Sequence, residues 1–372
     1  MIRQVAFGLV AICVATAGVN DFNPAAAREP DPRHFIIRDG VIEFNRHATD
    51  DDVAVVGDHL EIKVISFSVS EFWDGPDPRL TPIAVTNDGF AHIAKCKNLE
   101  RLELSSLHPL QVTDEGLKSL AGLSELRRFS CGETPFTDAG IAHLASLGNL
   151  EELWLDFNSH LGDGCLDTIG RLKKLRVLRF YGAPITDAGI DKIKGLTNLE
   201  DLQLGKSQVG DAALETIGAF SKLKTLDLQH TRVSDAGMQH LKPLKLRWLC
   251  LHDTAVSGTG LAAITDMTDM THLFLGYTRI DDAALDHVAR MENLESCDVS
   301  GTCVTGAGLK KLASLGSITL LRLNKLPITD RDVSLLTSIK TLKHVELNHT
   351  KITAAGFQQI TDADIERWNI TP

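Results

Sequence analysis

Residues 223–238 read Leu-Lys-Thr-Leu-Asp-Leu-Gln-His-Thr-Arg-Val-Ser-Asp-Ala-Gly-Met. Leu223, Leu226 and Leu228 end in an alternation of period two, the mark of a short strand with one face turned inward. Ser234 ahead of Asp235 is a helix start, because a hydroxyl there accepts from a backbone N–H that the first turn leaves free. Residues 175–190 repeat the pattern with Leu175, Leu178 and Phe180, then Ile185-Thr186-Asp187-Ala188-Gly189-Ile190. Ile190, Ile193 and Leu196 follow at helical spacing and make one apolar stripe.

Outward from this stretch the unit recurs. It starts at Leu99, Leu126, Leu150, Leu175, Leu199, Leu223, Leu246, Met270, Leu294, Ile318, Leu342 and Ile365, with the last unit truncated. Two degenerate units precede these. One has Ile42, Phe44 and Thr49-Asp50; the other has Ile62, Ile65, Phe67 and Val85-Thr86-Asn87-Asp88-Gly89-Phe90. A single unit cannot bury its apolar face, whereas stacked units can. The period therefore predicts an α/β solenoid, a curved horseshoe with a parallel β-sheet on the concave face and helices on the convex face.

The pattern L-x-x-L-x-L-x-x-T-x-[IV]-[TS]-D-A-G-L resembles that of leucine-rich repeat proteins. The T-D-A-G-L form is similar to exported bacterial repeat proteins and to the repeats of F-box-type ligase subunits. The position eight residues after each starting residue is mostly Thr (Thr134, Thr231, Thr254, Thr278, Thr302 and Thr350), with Asn158 once. The resemblance implies a ladder of side chains there that bond the backbone of the neighbouring loop.

Three segments are expected. Residues 1–27 read as a signal peptide: Arg3, a run of fifteen uncharged residues from Val5 to Val19, then Ala25-Ala26-Ala27 as small residues for cleavage near Ala27. Residues 28–98 read as an N-terminal cap of degenerate repeats, with a Pro- and Trp-containing insertion at roughly Ser70 to Ala84. Phe72 and Trp73 in it are a candidate binding lip. Residues 99–372 are the solenoid, ending in a cap strand of Ile365, Trp368 and Ile370 in which Trp368 covers the last layer. The expected location is secreted or periplasmic, with no transmembrane anchor in the mature chain.

The net charge of −11 argues against a nucleic-acid partner. Cys96, Cys131, Cys165, Cys250, Cys297 and Cys303 have irregular spacing without a CxxC pair, so free thiols packed as small apolar groups are expected. No phosphate loop or H-E-x-x-H helix is present, and no cofactor or metal is expected. The recurrent Asp is read as a helix-start residue stabilised by the helix dipole, not as a calcium ligand.

Strand residues two, four and six positions after each start point away from the core and line the concave face. The chain is only 5% aromatic, yet these columns hold Trp154 and Tyr181 on adjacent strands, and Trp248, His252, His272 and Phe274 in a second group. Large amphipathic side chains on an exposed face are the usual anchors of interfaces. The expected function is a non-enzymatic binding or scaffold protein that recognises a protein partner, with a glycan or envelope component as a further possibility. Alternatives are a substrate-recognition repeat subunit of a ligase-like complex and a purely structural envelope protein. Export argues against the first of these. The nearest approach to an enzyme is the grouping Asp227, Cys250 and His252 with His272 nearby, set on a flat face without a deep pocket.

Overall fold

A computed structural model describes residues 34–45, 47–59, 61–67, 83–104, 110–363 and 365–367. The expected leader, Phe72, Trp73, Trp368 and Ile370 lie outside the described residues. The expected insertion ends sooner than its sequence suggested. Ile83 and Ala84 already belong to the strand Ile83–Thr86, which pairs with Leu110–Gln111 at the entry to the helices.

Fifteen strands form one sheet in chain order, from Phe35–Arg38 to Glu366–Arg367. The first pair, Phe35–Arg38 with Val41–Phe44, is antiparallel. From Val41–Phe44 onward each strand runs parallel to the next. The register is unbroken through the middle of the stack: Leu178, Leu202, Leu226, Leu249, Leu273, Cys297, Leu321 and Val345 stand side by side, all fully buried. The starting residues from Leu99 to Ile318 are also fully buried, which closes one apolar core along the chain. The degenerate units at Ile42 and Ile62 are coils of the same stack. Phe44 and Phe67 stack at 4.9 Å, and Ile42 and Ile65 are fully buried.

Many helices begin just after a Thr or Ser, followed by Asp at Thr137 and Ser234 and by Gly at Ser257 and Thr305. Thr137, Ser234, Ser257 and Thr305 each accept from the N–H two residues on. The recurrent Asp has a larger role than stabilising its own helix start. Asp114 accepts the Thr137 N–H at 2.9 Å and the Thr137 hydroxyl at 2.6 Å. Asp211 does the same to Ser234, Asp235 to Ser257, Asp282 to Thr305 and Asp330 to Thr353. Each carboxylate thus belongs to one coil and satisfies the helix start of the next. The Gly three residues after the helix-start Ser leaves it room: a Cβ on Gly237 would lie 2.6 Å from Asp211 Oδ1, and one on Gly260 would lie 2.5 Å from Asp235 Oδ1.

Five of the six threonines eight positions after a start do not form the expected ladder between loops; only Thr134 crosses, its hydroxyl donating to Asn158 at 2.7 Å. The hydroxyls of Thr231, Thr254, Thr278, Thr302 and Thr350 donate to Leu228, Leu251, Leu275, Val299 and Leu347, three residues back in their own coils. A hydroxyl on so short a side chain reaches its own turn first. Asn158 is long enough to cross, and accepts the Thr134 N–H at 2.8 Å. The aspartates carry the link between coils instead.

The six expected thiols are free. Five are buried, and Cys303 is exposed. Among the described residues no helix is long and apolar enough to cross a membrane.

Candidate functional site

The register lays the inner-face side chains out as a grid. One row runs Asp201, Thr225, Trp248, His272, Ser296; the row two residues on runs Gln203, Asp227, Cys250, Phe274, Asp298. Trp248, His272 and Phe274 come together as expected. The Trp248 and Phe274 rings are 5.3 Å apart, the His272 and Phe274 rings 6.4 Å, and the Arg322 guanidinium lies 5.4 Å over Phe274. Burial depresses the His272 imidazole and so favours its neutral form.

The other three candidates sit differently. Trp154 is flanked by the guanidiniums of Arg128 at 3.9 Å and Arg179 at 4.4 Å. These are held by Glu103 (3.2 Å) and Glu152 (3.3 Å) for Arg128, and by Asp156 (2.9 Å) for Arg179. Trp154 is therefore the centre of a charged stack rather than a bare apolar anchor. Tyr181 and His252 lie at the edge of the face, where strand gives way to loop. Tyr181 meets Phe157 edge-on at 5.0 Å and carries Lys206 at 5.1 Å. His252 lies between His230 (5.6 Å) and Tyr277 (4.9 Å), and Lys325 stands 4.9 Å over Tyr277.

Phe157 and Tyr277 escaped the sequence reading. At 41% and 40% exposure they are among the most exposed large apolar side chains described. Both stand seven positions after a starting residue, where the backbone is left-handed in ten successive coils. Glu133, Phe157, Lys206, His230, Asp253, Tyr277, Lys325 and His349 have φ between 51° and 61°, and Gly182 and Gly301 take the same place. The rim aromatics lie over glycines one coil on. A Cβ would meet the Phe157 ring at 3.3 Å from Gly182, the Tyr181 ring at 2.8 Å from Gly205, the His252 ring at 2.7 Å from Gly276 and the Tyr277 ring at 2.7 Å from Gly301.

The face is not uniformly open. Asp227, Cys250 and Asp298 are 3%, 6% and 7% exposed, sunk among larger neighbours although they point away from the core. Burial raises the Asp227 and Asp298 carboxyls, and raises Asp201 to about 6. Cys250 is raised well above an ordinary thiol by burial and by the Asp227 and Asp298 charges. A nucleophilic cysteine needs the opposite surroundings. The Asp227, Cys250 and His252 grouping is thus a protonated thiol beside a carboxylate, and burial lowers the His252 imidazole as well. Among the described residues no group of three or more His, Cys, Asp or Glu side chains is arranged to hold a metal ion.

The family model described as Leucine Rich repeat matches residues 221–242, a stretch that contains the unit quoted at the outset. An internalin from Listeria monocytogenes superposes with a TM-score of 0.63 at 16% identity, over 90% of this chain and 87% of that one. The chain has the leucine-rich repeat fold. A leucine-rich repeat protein of Leptospira interrogans aligns at 16% identity over 84% of this chain and 91% of that one, with a TM-score of 0.41. A plant peptide hormone receptor, solved with the peptide RGF2, aligns at 15% identity over 86% of this chain and 56% of that one, with a TM-score of 0.47. No curated protein matches the chain. Leucine-rich repeat proteins are in general non-enzymatic scaffolds whose extended concave surfaces bind other proteins.

Proposed function

We propose that this chain is an exported, non-enzymatic binding protein that grips a protein partner with the inner face of its sheet. The observation that carries the reading is the contact between Trp248 and Phe274, with His272 beside them, on the solvent side of two adjacent strands in a chain otherwise poor in aromatics. Aromatic side chains give large contact area at small conformational cost, and such clusters are where binding energy concentrates. The rim pairs Phe157 with Tyr181 and His252 with Tyr277 extend the surface. Fifteen strands at about 4.8 Å each give a face on the order of 70 Å long, ample for a standard protein interface. Export rests on residues 1–27, and the cell envelope or exterior is where the partner is to be sought.

The test is capture from envelope extract by the purified chain and by Trp248→Ala/Phe274→Ala. Both side chains lie outside the core, so the variant keeps its circular dichroism and melting midpoint. The reading predicts that the captured partner is lost. Equal capture by the two proteins would remove the assignment.

A further inference from the structure

Asp201, Asp227 and Trp248 border one point on the inner face. Asp201 and Trp248 stand on either side of Thr225 in the same row, one strand away in each direction. Asp227 is two residues on from Thr225 along its own strand and points to the same side. At about 4.8 Å between strands and about 6.6 Å between alternate residues, Asp201 and Trp248 flank a spot the width of one partner side chain, and the sunken Asp227 lies at its floor.

Among the described residues, most acidic side chains of the face are paired with an arginine, and the two here are not. Glu103 and Glu152 pair with Arg128, Asp156 pairs with Arg179 at 2.9 Å, and Glu346 pairs with Arg322 at 2.8 Å. Asp298, without an ion pair of its own among the described residues, has both Arg322 and His252 acting on it through space. Asp201 and Asp227 have only neutral donors close by. Gln203 Nε2 donates to Asp201 at 3.2 Å, and Gln229 donates to Asp227 from its side chain at 2.8 Å and its backbone at 2.9 Å. Among the described residues no cation lies in ion-pair contact with either. Arg179 acts on both from further off, while its guanidinium is held by Asp156. The Tyr181 phenol and the Cys250 thiol face the same region and bring no positive charge.

We propose that the spot over Thr225, flanked by Asp201 and Trp248 with Asp227 at its floor, receives an arginine side chain from an extended segment of the protein partner. This rests on the reading of the inner face as a protein-binding surface. Arginine fits better than lysine. Its planar fork can donate to two carboxylates at once, and its flat face stacks on an indole. The second side of the aromatic group supports an apolar neighbour in the same segment, since Phe274 and His272 lie on the strand beyond Trp248. A guanidinium there would favour the ionised form of Asp201, so binding near pH 6 releases protons.

The experiment uses the full chain and two peptides, acetyl-Gly-Leu-Arg-Leu-Gly-amide and its counterpart with citrulline, a neutral isostere, in place of arginine. Calorimetry at pH 7 is expected to show at least tenfold tighter binding of the arginine peptide. The preference disappears in Asp201→Asn/Asp227→Asn and falls severalfold in Asp201→Asn alone, which spares the more buried carboxylate. At pH 6 the arginine peptide releases protons, read from the dependence of the heat on buffer ionisation. Equal affinity for both peptides, a preference that survives the double variant, a lysine peptide that binds as tightly, or no binding by either peptide would each overturn the proposal. If Trp248→Ala weakens both peptides alike while no arginine preference exists, the arginine assignment falls and the protein-binding reading stands. If Trp248→Ala/Phe274→Ala leaves capture of the partner from extract unchanged, that reading falls with it.

Discussion

The carboxylate of Asp235 crosses from its own coil to Ser257 in the next, where it accepts the backbone N–H at 2.7 Å and the hydroxyl at 2.5 Å. It also accepts the N–H of Gly260 at 3.0 Å. One side chain thus satisfies a helix start that is not its own. Repeated from Asp50 to Asp330, this fastens neighbouring coils on the helix side as the sheet fastens them on the other. Asp235→Ala should therefore cost about 1–3 kcal/mol in urea unfolding, because it strands partly buried donors. Asp235→Asn should cost less than half as much, since Asn87 already serves Thr113 in this way, accepting its N–H at 2.9 Å.

The glycine three residues after Ser257 supplies a sign test. Gly to Ala within a helix normally stabilises by about 0.5–1 kcal/mol. At Gly260 the added Cβ would fall 2.5 Å from Asp235 Oδ1 and 3.0 Å from Met238 Cγ, so Gly260→Ala should destabilise by about 1–3 kcal/mol. In an Asp235→Ala background the penalty should shrink, and a double-mutant cycle by urea unfolding measures the coupling.

Position seven of each coil offers the opposite experiment. Glu133 is exposed and sits at φ 53°, a conformation that disfavours any residue with a Cβ. Glu133→Gly should raise stability by about 0.5–1 kcal/mol, the relief of left-handed strain less the added freedom of the unfolded chain. Tyr277→Gly should give no such gain. It removes a ring that packs on Gly301 and His252.

The inner-face carboxylates make stability depend on pH. Asp201 in the folded chain titrates at about 6 because burial disfavours its charge, against 3.8 as its ordinary value. Between about 4 and 6 the folded state holds the extra proton, so this contribution to stability falls as pH rises through that window. The cost is fully present above it. Asp201→Asn should be more stable than the parent at pH 7 by about 1–2 kcal/mol, and the gap should close toward pH 4. Urea midpoints of both proteins at pH 4, 5, 6 and 7 check this.

Thiol chemistry separates the cysteines. Burial lifts Cys131 to about 12 and Cys96 to about 11, and Cys250 is raised as well, while Cys303 is exposed. Iodoacetamide at pH 8 should label Cys303 first by peptide mapping. The five buried thiols should react only at the rate of unfolding.

Much of this architecture can be read from the chain, because the residues that define it recur at a fixed spacing. Leu223, Leu226 and Leu228 point inward because any coil must hide them, and the same holds from Leu99 to Ile318. The T-D-A-G motif was visible as repetition, but its physical role was not. The partner of Asp211 is Ser234 in the following coil, and periodicity alone does not say which side chain crosses. The reach of the threonines failed for the same reason. At the candidate site the alternation of the strands placed Trp248, His272 and Phe274 on one face. It did not show that Asp227 and Cys250 sink below that face, because their burial depends on the size of their neighbours. Phe157 and Tyr277 had one overlooked signal: Gly182 and Gly301 occupy the same position in other coils and mark a left-handed backbone.

The most direct test of the binding surface is a hydrogen-exchange footprint of the chain with its captured partner. Binding through the inner face predicts protection at 225–227, 248–250 and 272–274 and at the rim loops around Tyr181 and Tyr277. Exchange in the convex helices, such as Asp211–Ile217 and Gly306–Leu312, should stay unchanged. Protection confined to those helices, with the strand segments unaltered, would contradict the account.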